Sequence, residues 1–421
     1  MRYLMKSDRG ENMKKRYIQD ECPKRPIKAV IFGDNAFSRG IWGRIFKEIN
    51  KSEPVNCVMV RDNPAGDNER ADNRYVLVLK GENGDKHGEI DFIEAVVDGY
   101  TDFDALSSLA DNKDITTLLW SPEEDTWTLK NGKLKNEKHN PLAQITMLLF
   151  RRFCLEMSGF TVVSAFDEDF NGDRLKEDIV KYASLRGLGM DFINWLNFEN
   201  RFVNTLVQNL PQGTGRENML YVYAENYMLF VADSNAGIID SCVKHVEDIS
   251  EYYTMKRYIY GGALASSCAY ALLHGVETLS GFMIRQKLAK HMSVAVFEEI
   301  IPSVHVNFET VQAYTMEMFD RFSSSAIVVS WKKEAYNLAG KAAECIVPII
   351  SEYMRINEKP PKHLVFAIFC TMEYYRFFDV NDGYSELFDK DTAEILKDRR
   401  IWGSDLSVLL PEISAYEEKM K

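Results

Sequence analysis

The first stretch of this sequence with the makings of a chemical site is Phe32-Gly33-Asp34-Asn35-Ala36-Phe37-Ser38-Arg39-Gly40. It follows the apolar run Ile27-Lys28-Ala29-Val30-Ile31-Phe32 and precedes an amphipathic segment over residues 41–49, so it joins a strand to a helix. A dinucleotide fold needs small residues at such a joint, because backbone amides at the helix N-terminus must come close to a pyrophosphate. Gly33 is well placed for this. Asn35 stands where the second glycine of G-x-G falls, and after Gly it is Asn that best tolerates a positive φ. A single glycine suits a nucleotide-binding turn and an ordinary strand–helix turn equally. Val60-Arg61-Asp62 ends the next strand: a carboxylate there commonly accepts from the adenosine ribose and an Arg there can meet a 2′-phosphate, while both types also suit a solvated loop.

The remaining chemically able side chains are scattered. No His, Cys, Asp and Glu grouping has metal-ligand spacing, and Asp233, Glu225 and Glu277 read as isolated carboxylates. His274 sits on an apolar helix pattern as a core or helix-end residue, and His87, His139 and His363 fall in charged segments that read as loops. The seven cysteines occur singly, with no C-x-x-C pair, and read as small buried apolar residues in a reducing compartment.

Stepping outward to the elements that must hold these residues, strand-like runs recur at residues 55–61, 75–80, 90–97, 115–120 and 160–165. Helical spacing lies at 103–109, 143–158 and 172–184, and an Asn131-Gly132 turn suggests a small hairpin. Strands alternating with helices predict a mostly parallel α/β sheet whose first strand ends at Gly33. Past residue 240 the pattern becomes helical, over 243–253, 263–273, 311–322, 332–354 and 363–377. The expected organisation is a polar arm over 1–27, a Rossmann-like α/β domain over 28–240 and an all-α domain over 241–421. With 51 Lys and Arg against 63 Asp and Glu, the formal net charge is −12, which disfavours nucleic acid or anionic lipid as a partner. The most apolar stretch, 263–273, is too short to span a bilayer, and the N-terminal residues lack the apolar core of a signal peptide, so a cytoplasmic protein is expected.

Several separated segments, in order, carry a resemblance. Phe32 to Arg39 resembles F-G-x-G-N-F-x-R. Asn171-Gly172-Asp173-Arg174-Leu175, followed by Val180-Lys181-Tyr182-Ala183, resembles N-G-x-x-L with V-x-x-Y-A. Phe192-Ile193-Asn194-Trp195 followed by Phe202-Val203-Asn204-Thr205-Leu206-Val207 resembles F-x-x-W with F-x-N-T-x-V-D-R, and Ile401-Trp402-Gly403-Ser404-Asp405-Leu406 resembles L-W-G-x-D-L. Together they are similar to the long-chain polyol and hexuronate dehydrogenases, the mannitol dehydrogenase family, and especially to its tagaturonate reductases (altronate oxidoreductases).

The resemblance implies NAD or NADP as cofactor, held by Gly33, Asp34, Asn35, Phe37, Arg39, Asp62, Ser121 and Glu124. It implies metal-free reduction of a ketouronate or ketose, with a Lys as acid/base and Asn and His side chains holding the reacting oxygen, as K-x-x-x-x-N-x-x-H on one helix plus the Asn of N-T-x-V-D-R. Asn204 matches that last Asn. In one register Lys256 is the base and Gly261 and Leu264 replace Asn and His; in the register shifted by one, Met255, Tyr260 and Ala263 stand at the three positions. Asp-Arg after N-T-x-V is Gln208-Asn209 here, and the S-N-T-T-E loop is Ser121-Pro122-Glu123-Glu124 preceded by Trp120, with Pro122 removing an amide donor. The catalytic candidates are therefore Lys256 and Asn204. Lys256 also suits a solvated helix lysine beside Arg257, and Asn204 a turn cap between Phe202 and Val207. The alternative expectation is a non-catalytic relative that binds a sugar or nucleotide in a regulatory role.

Overall fold

The computed structural model describes residues 24–61, 73–99, 101–130, 132–134, 137, 140–210 and 220–420; residues 1–23 of the expected arm, Asp62 and His139 lie outside them. The chain divides into two compact units between Ile249 and Ser250.

In the first unit β1 (Ile27–Phe32), α1 (Ala36–Ile49), β2 (Asn56–Arg61), β3 (Tyr75–Lys80), β4 (Lys86–Ile90), β5 (Ile93–Asp98), α2 (Phe103–Ser108) and β6 (Thr117–Trp120) follow one another. They lead into α3 (Glu124–Trp127), the hairpin β7 (Leu129–Lys130) and β8 (Lys133–Leu134), α4 (Pro141–Cys154), β9 (Thr161–Ser164), α5 (Asn171–Leu185), α6 (Met190–Phe198), β10 (Arg201–Val203), β11 (Thr205–Gln208), β12 (Tyr221–Glu225), β13 (Leu229–Ala232) and β14 (Lys244–His245). Among the described residues β5, β2, β1, β6, β9 and β10 form, in that spatial order, a six-stranded sheet whose every pairing is parallel. Counted along the chain, the order is 3-2-1-4-5-6, that of a doubly wound nucleotide fold. β1 can sit at its centre because it is apolar on both faces. Ala29 and Ile31 join the core under α1, with Ile41, Trp42, Ile45 and Phe46. Val30 and Phe32 join the opposite core, with Leu142, Ile145 and Leu149 of α4 and Ile179 of α5.

Two expectations for this unit need correction. The run at 75–80 does not enter the parallel sheet: β3 pairs antiparallel with β4 and parallel with β12 in a separate three-stranded sheet. The run at 90–97 is two elements, broken at Asp91, where Arg25 makes a two-pronged pair of 3.1 and 3.0 Å. The reason lies in β4, whose Lys86, His87 and Glu89 are exposed, so that the strand cannot be buried in a two-sided sheet.

The turn after β1 is set by a close approach. Gly33 has φ +109°, and a Cβ built on it falls 2.4 Å from the carbonyl oxygen of Ser121 and 2.8 Å from the nitrogen of Pro122. Glycine alone lets the β1 and β6 ends pass this closely.

The second unit begins with α7 (Ser250–Thr254), a π-helix (Met255–Gly261) and α8 (Gly262–Leu273), followed by α9 (Leu279–Met283), α10 (Gln286–Val294), a second π-helix (Ala295–Ile300), α11 (Phe308–Ser323), α12 (Trp331–Glu334), α13 (Leu338–Cys345), α14 (Val347–Asn357) and α15 (Lys362–Phe377). α8 is buried around nearly its whole circumference and packs against α10, α12, α13 and α15. The helical pattern at 243–253 resolves into an extended stretch, with Val246 donating to the carbonyl of Ala232, and a helix that starts at Ser250. The pattern at 332–354 is three helices. Asn337 takes a left-handed φ of 55°, and Pro348 has no amide to continue the ladder.

α8, α10 and α15 meet at a histidine pair. His291 Nε2 lies 3.2 Å from the Ser266 carbonyl and donates to it, which leaves Nδ1 to accept from His363 Nδ1 at 3.1 Å. The carboxylate of Glu299 receives the His363 and Leu364 amides at the start of α15, each at 2.8 Å. Burial, with a smaller contribution from His363, lowers the His291 pKa to about 4.

Two measurements check this architecture. Gly33→Ala meets both the positive φ and the Ser121 carbonyl, so urea unfolding should show a loss of at least about 2 kcal/mol, and a loss within about 0.5 kcal/mol would refute the close approach. His291 is harder to protonate folded than unfolded. Its contribution is therefore complete above about pH 6.5 and fades as the pH falls toward 4, to a total of about 3 kcal/mol. Unfolding followed against pH should lose that part of its slope in His291→Gln, and an unchanged slope would refute a His291 buried in its neutral form.

Candidate functional site

The side chains of the turn are organised from below. Asp34, whose carboxylate is 2% exposed, accepts from Arg39 Nε at 2.6 Å and lies 3.3 Å from Arg61 Nη2. Burial alone would raise its pKa, but the charge and hydrogen bond of Arg39, with the charge of Arg61, hold it below the usual carboxylate range. The Arg39 guanidinium also lies 5.1 Å from the centroid of the Tyr75 ring, whose hydroxyl donates to the Arg39 carbonyl at 2.7 Å. One carboxylate and two guanidinium groups meet beneath the turn. Asp34 and Arg39 thus support the turn from underneath.

Asn35 does not take the positive φ expected of it. Its backbone is extended (φ −129°), because Gly33 alone makes the left-handed step and Asn35 serves instead as N-cap of α1. Its Oδ1 accepts from the Ser38 amide and its Nδ2 donates to the Ser121 carbonyl, both at 2.9 Å. Ser121 is a hub: its hydroxyl receives Trp42 Nε1 and donates to Ser38 Oγ, which donates to the Gly33 carbonyl, each at 2.8 Å. Phe37, half-buried, packs on the core under α1. Glu124 opens α3. No acidic residue stands in the first turn of α1, so its orphan amides face a field that favours an anion.

Asn204, between β10 and β11, is bound up with the start of α5. Its Oδ1 accepts from the Asp173 amide at 2.9 Å, and its Nδ2 donates to Asp233 Oδ2 at 2.8 Å and Asp173 Oδ2 at 3.0 Å. Asn171 makes the reciprocal bond, accepting from the Thr205 amide at 2.9 Å. Gly172 lets the two segments close, since a Cβ there would fall 2.5 Å from the Val203 carbonyl. The N-G and N-T motifs are two halves of one clasp. Asp233 and Glu225 are therefore not isolated: Glu225, fully buried, accepts from the Leu210 amide at 2.7 Å.

Lys256 is half-buried on the first π-helix, with Arg257 exposed beside it. Met255, its counterpart in the shifted register, is fully buried and apolar. A Cβ on Gly261 would fall 3.0 Å from Cys345 Sγ and one on Gly262 3.1 Å from Ile300 Cδ1, so α13 and the second π-helix press on the glycine pair. Leu264 and Ala263 are buried. Burial pushes the Cys345 thiol up to about 11, which keeps it protonated at neutral pH.

Among the histidines, His274 caps the end of α8, as expected, with Nδ1 3.0 Å from the Tyr270 carbonyl. His87 lies in β4 and His363 in the first turn of α15, although their charged surroundings read as loops; for His363 the helical pattern over 363–377 holds. Cys57, Cys268 and Cys370 are buried, but Cys154 is exposed and Cys242 and Cys345 are intermediate. Among the described residues no three metal-binding side chains come together, and no helix is long and apolar enough to cross a membrane.

Residues 27–241 match the mannitol dehydrogenase Rossmann domain. An altronate oxidoreductase of Halalkalibacterium halodurans is 25% identical over 86% of this chain and 77% of its own length, and one of Klebsiella pneumoniae is 25% identical over 90% and 85%. Two solved structures share the fold at 16% identity. A Pseudomonas fluorescens mannitol 2-dehydrogenase in ternary complex with NAD and D-mannitol has a TM-score of 0.70 over 94% of this chain and 91% of its own. A substrate-free D-sorbitol dehydrogenase has 0.81 over 94% and 96%. The parallel sheet in the order 3-2-1-4-5-6, the glycine turn at its centre and the matched span of more than half the sequence lead to one conclusion: the chain belongs to the mannitol dehydrogenase family of oxidoreductases.

Proposed function

We propose that this protein binds a nicotinamide dinucleotide over the Gly33–Phe37 turn and reduces a ketouronate or ketose, with tagaturonate and fructuronate as the first substrates to try. The observation that carries this is the turn itself. Its glycine brings the end of β1 against Ser121 and sets the direction of α1, whose N-terminus opens beside it without an acidic residue. These features fit a pyrophosphate. When bound, the nicotinamide supplies the hydride. Lys256 supplies the proton to the carbonyl oxygen of the sugar, and takes it back in the oxidative direction. The relatives named altronate oxidoreductase support a sugar-acid substrate.

A second reading, a sugar- or nucleotide-binding relative without turnover, is favoured by one feature. The place of the family's Asn is occupied through Gly261 by the Cys345 side chain, and the two amide hydrogens of Asn204 are already given to Asp173 and Asp233. For Asn204 to hold a substrate oxygen, one of those bonds must open. Each lost oxyanion donor costs about 10²–10³ in rate, so the reductase reading itself expects slow turnover.

Fluorescence titration with NADH should show saturable binding to the purified protein, followed by measurable reduction of tagaturonate or fructuronate. Lys256→Ala should lower kcat by about 10²–10⁴ while leaving nucleotide affinity unchanged. Nucleotide binding without reduction of either substrate establishes the second reading, and full activity in Lys256→Ala places the acid/base elsewhere.

A further inference from the structure

His291 and His363 stand 72 positions apart, so no ligand-spacing motif links them, yet α10 and α15 bring their Nδ1 atoms within 3.1 Å of each other. Metal–nitrogen bonds of about 2.0–2.1 Å, meeting at about 95–110°, set two imidazole nitrogens about 3.0–3.4 Å apart. The pair has the bite of a chelate. His291 also carries the support of a metal ligand: its Nε2 hydrogen goes to the Ser266 carbonyl at 3.2 Å, which fixes the tautomer whose Nδ1 lone pair faces His363. Among the described residues no hydrogen-bond partner stands at Nε2 of His363, so the proton of that ring can reside there and leave its Nδ1 lone pair facing His291. We propose that His291 and His363 hold a divalent transition ion of the Zn²⁺ class between their Nδ1 atoms, with water completing its coordination, at the junction of α8, α10 and α15.

The Tyr270 and Phe366 rings stand edge-on to His291, with centroids at 5.2 and 5.5 Å, and hold its plane. His291 is 6% exposed and His363 is half-buried, so the ion is gripped from the inner side and hydrated from the outer. Glu298, Lys362 and Lys290 are the charged groups that act on His363, while the Glu299 carboxylate is engaged by the His363 and Leu364 amides. Two neutral imidazoles suit Zn²⁺ and its neighbours, and offer little to Mg²⁺ or Ca²⁺, which take oxygen ligands. On binding, His363 moves its proton from Nδ1 to Nε2, so the ion replaces the hydrogen bond between the rings and no proton leaves the pair. The bound ion fastens α10 to α15 beside α8.

The test is calorimetric titration of the whole chain, first treated with EDTA and dialysed, with Zn²⁺. The unaltered protein should take up one tightest equivalent that excess Mg²⁺ does not displace. His363→Gln should weaken that equivalent by about tenfold or more, and His291→Gln should do the same. His245 and His305, each exposed beside a carboxylate, offer competing surface sites, and replacing either by Gln should leave the tightest equivalent in place. Saturating Zn²⁺ should also raise the unfolding temperature of the unaltered protein and leave that of His363→Gln unmoved. Absence of Zn²⁺ binding overturns the proposal, as does a tightest equivalent that survives His363→Gln or is lost in His245→Gln or His305→Gln. Because His363 is half-buried, its variant keeps the test decisive even where His291→Gln does not fold. The titration uses no nucleotide and no sugar, so its outcome is independent of the reductase reading.

Discussion

The contact on which the first unit depends is the passage of the Gly33 backbone against the carbonyl of Ser121. It brings the ends of β1 and β6 within a distance that any side chain would prevent. Around it the polar side chains of Asn35, Ser38, Trp42 and Ser121 are tied together. Asn35 ties the start of α1 to Ser121, Ser121 ties Trp42 to Ser38, and Ser38 returns to the Gly33 carbonyl. The first turn of α1 is thereby fixed in direction before any ligand arrives, which is the condition for backbone amides to act as a preformed anion site. The buried Asp34–Arg39–Arg61 group lies under the same turn, so the charge balance of the site and the packing of the sheet end are one arrangement.

The helical unit shows the same economy turned to a different end. On the helix of Lys256, Gly261 and Gly262 let Cys345 of α13 and Ile300 of the second π-helix come close. A side chain at Gly261 would press its Cβ on that sulfur, so Cys345 would have to shift to admit one. Beside this close helix packing, Lys256 stays half-buried on a π-helix, a distortion often found at functional sites.

Asn204 illustrates how a motif can have two explanations. The co-occurrence of N-G and N-T in one sequence is accounted for by geometry: each Asn accepts a backbone amide from the other's segment, and Gly172 lets the two backbones touch. Such a clasp would be retained whether or not the site turns over substrate, so the presence of Asn204 alone does not indicate catalysis.

The sequence by itself determined the class of fold, the central strand, the glycine turn and the helical character of the second unit, because these follow from local periodicity and from a residue without a Cβ. It also carried the family resemblance, in motifs whose order survives even where their chemistry does not. It misassigned β3 and the segment at 243–253, since an apolar run does not say which edge it will pair with. Only the tertiary structure decided that Asn35 caps rather than turns, that Asp34 lies beneath the turn between two arginines, that Asp233 and Asp173 hold Asn204, and that Cys345 fills the space beside Gly261. Each of these depends on groups from different parts of the fold meeting in a low-dielectric interior. There a carboxylate must find its cations and an amide its acceptors, and local patterning does not encode which partner will be in reach.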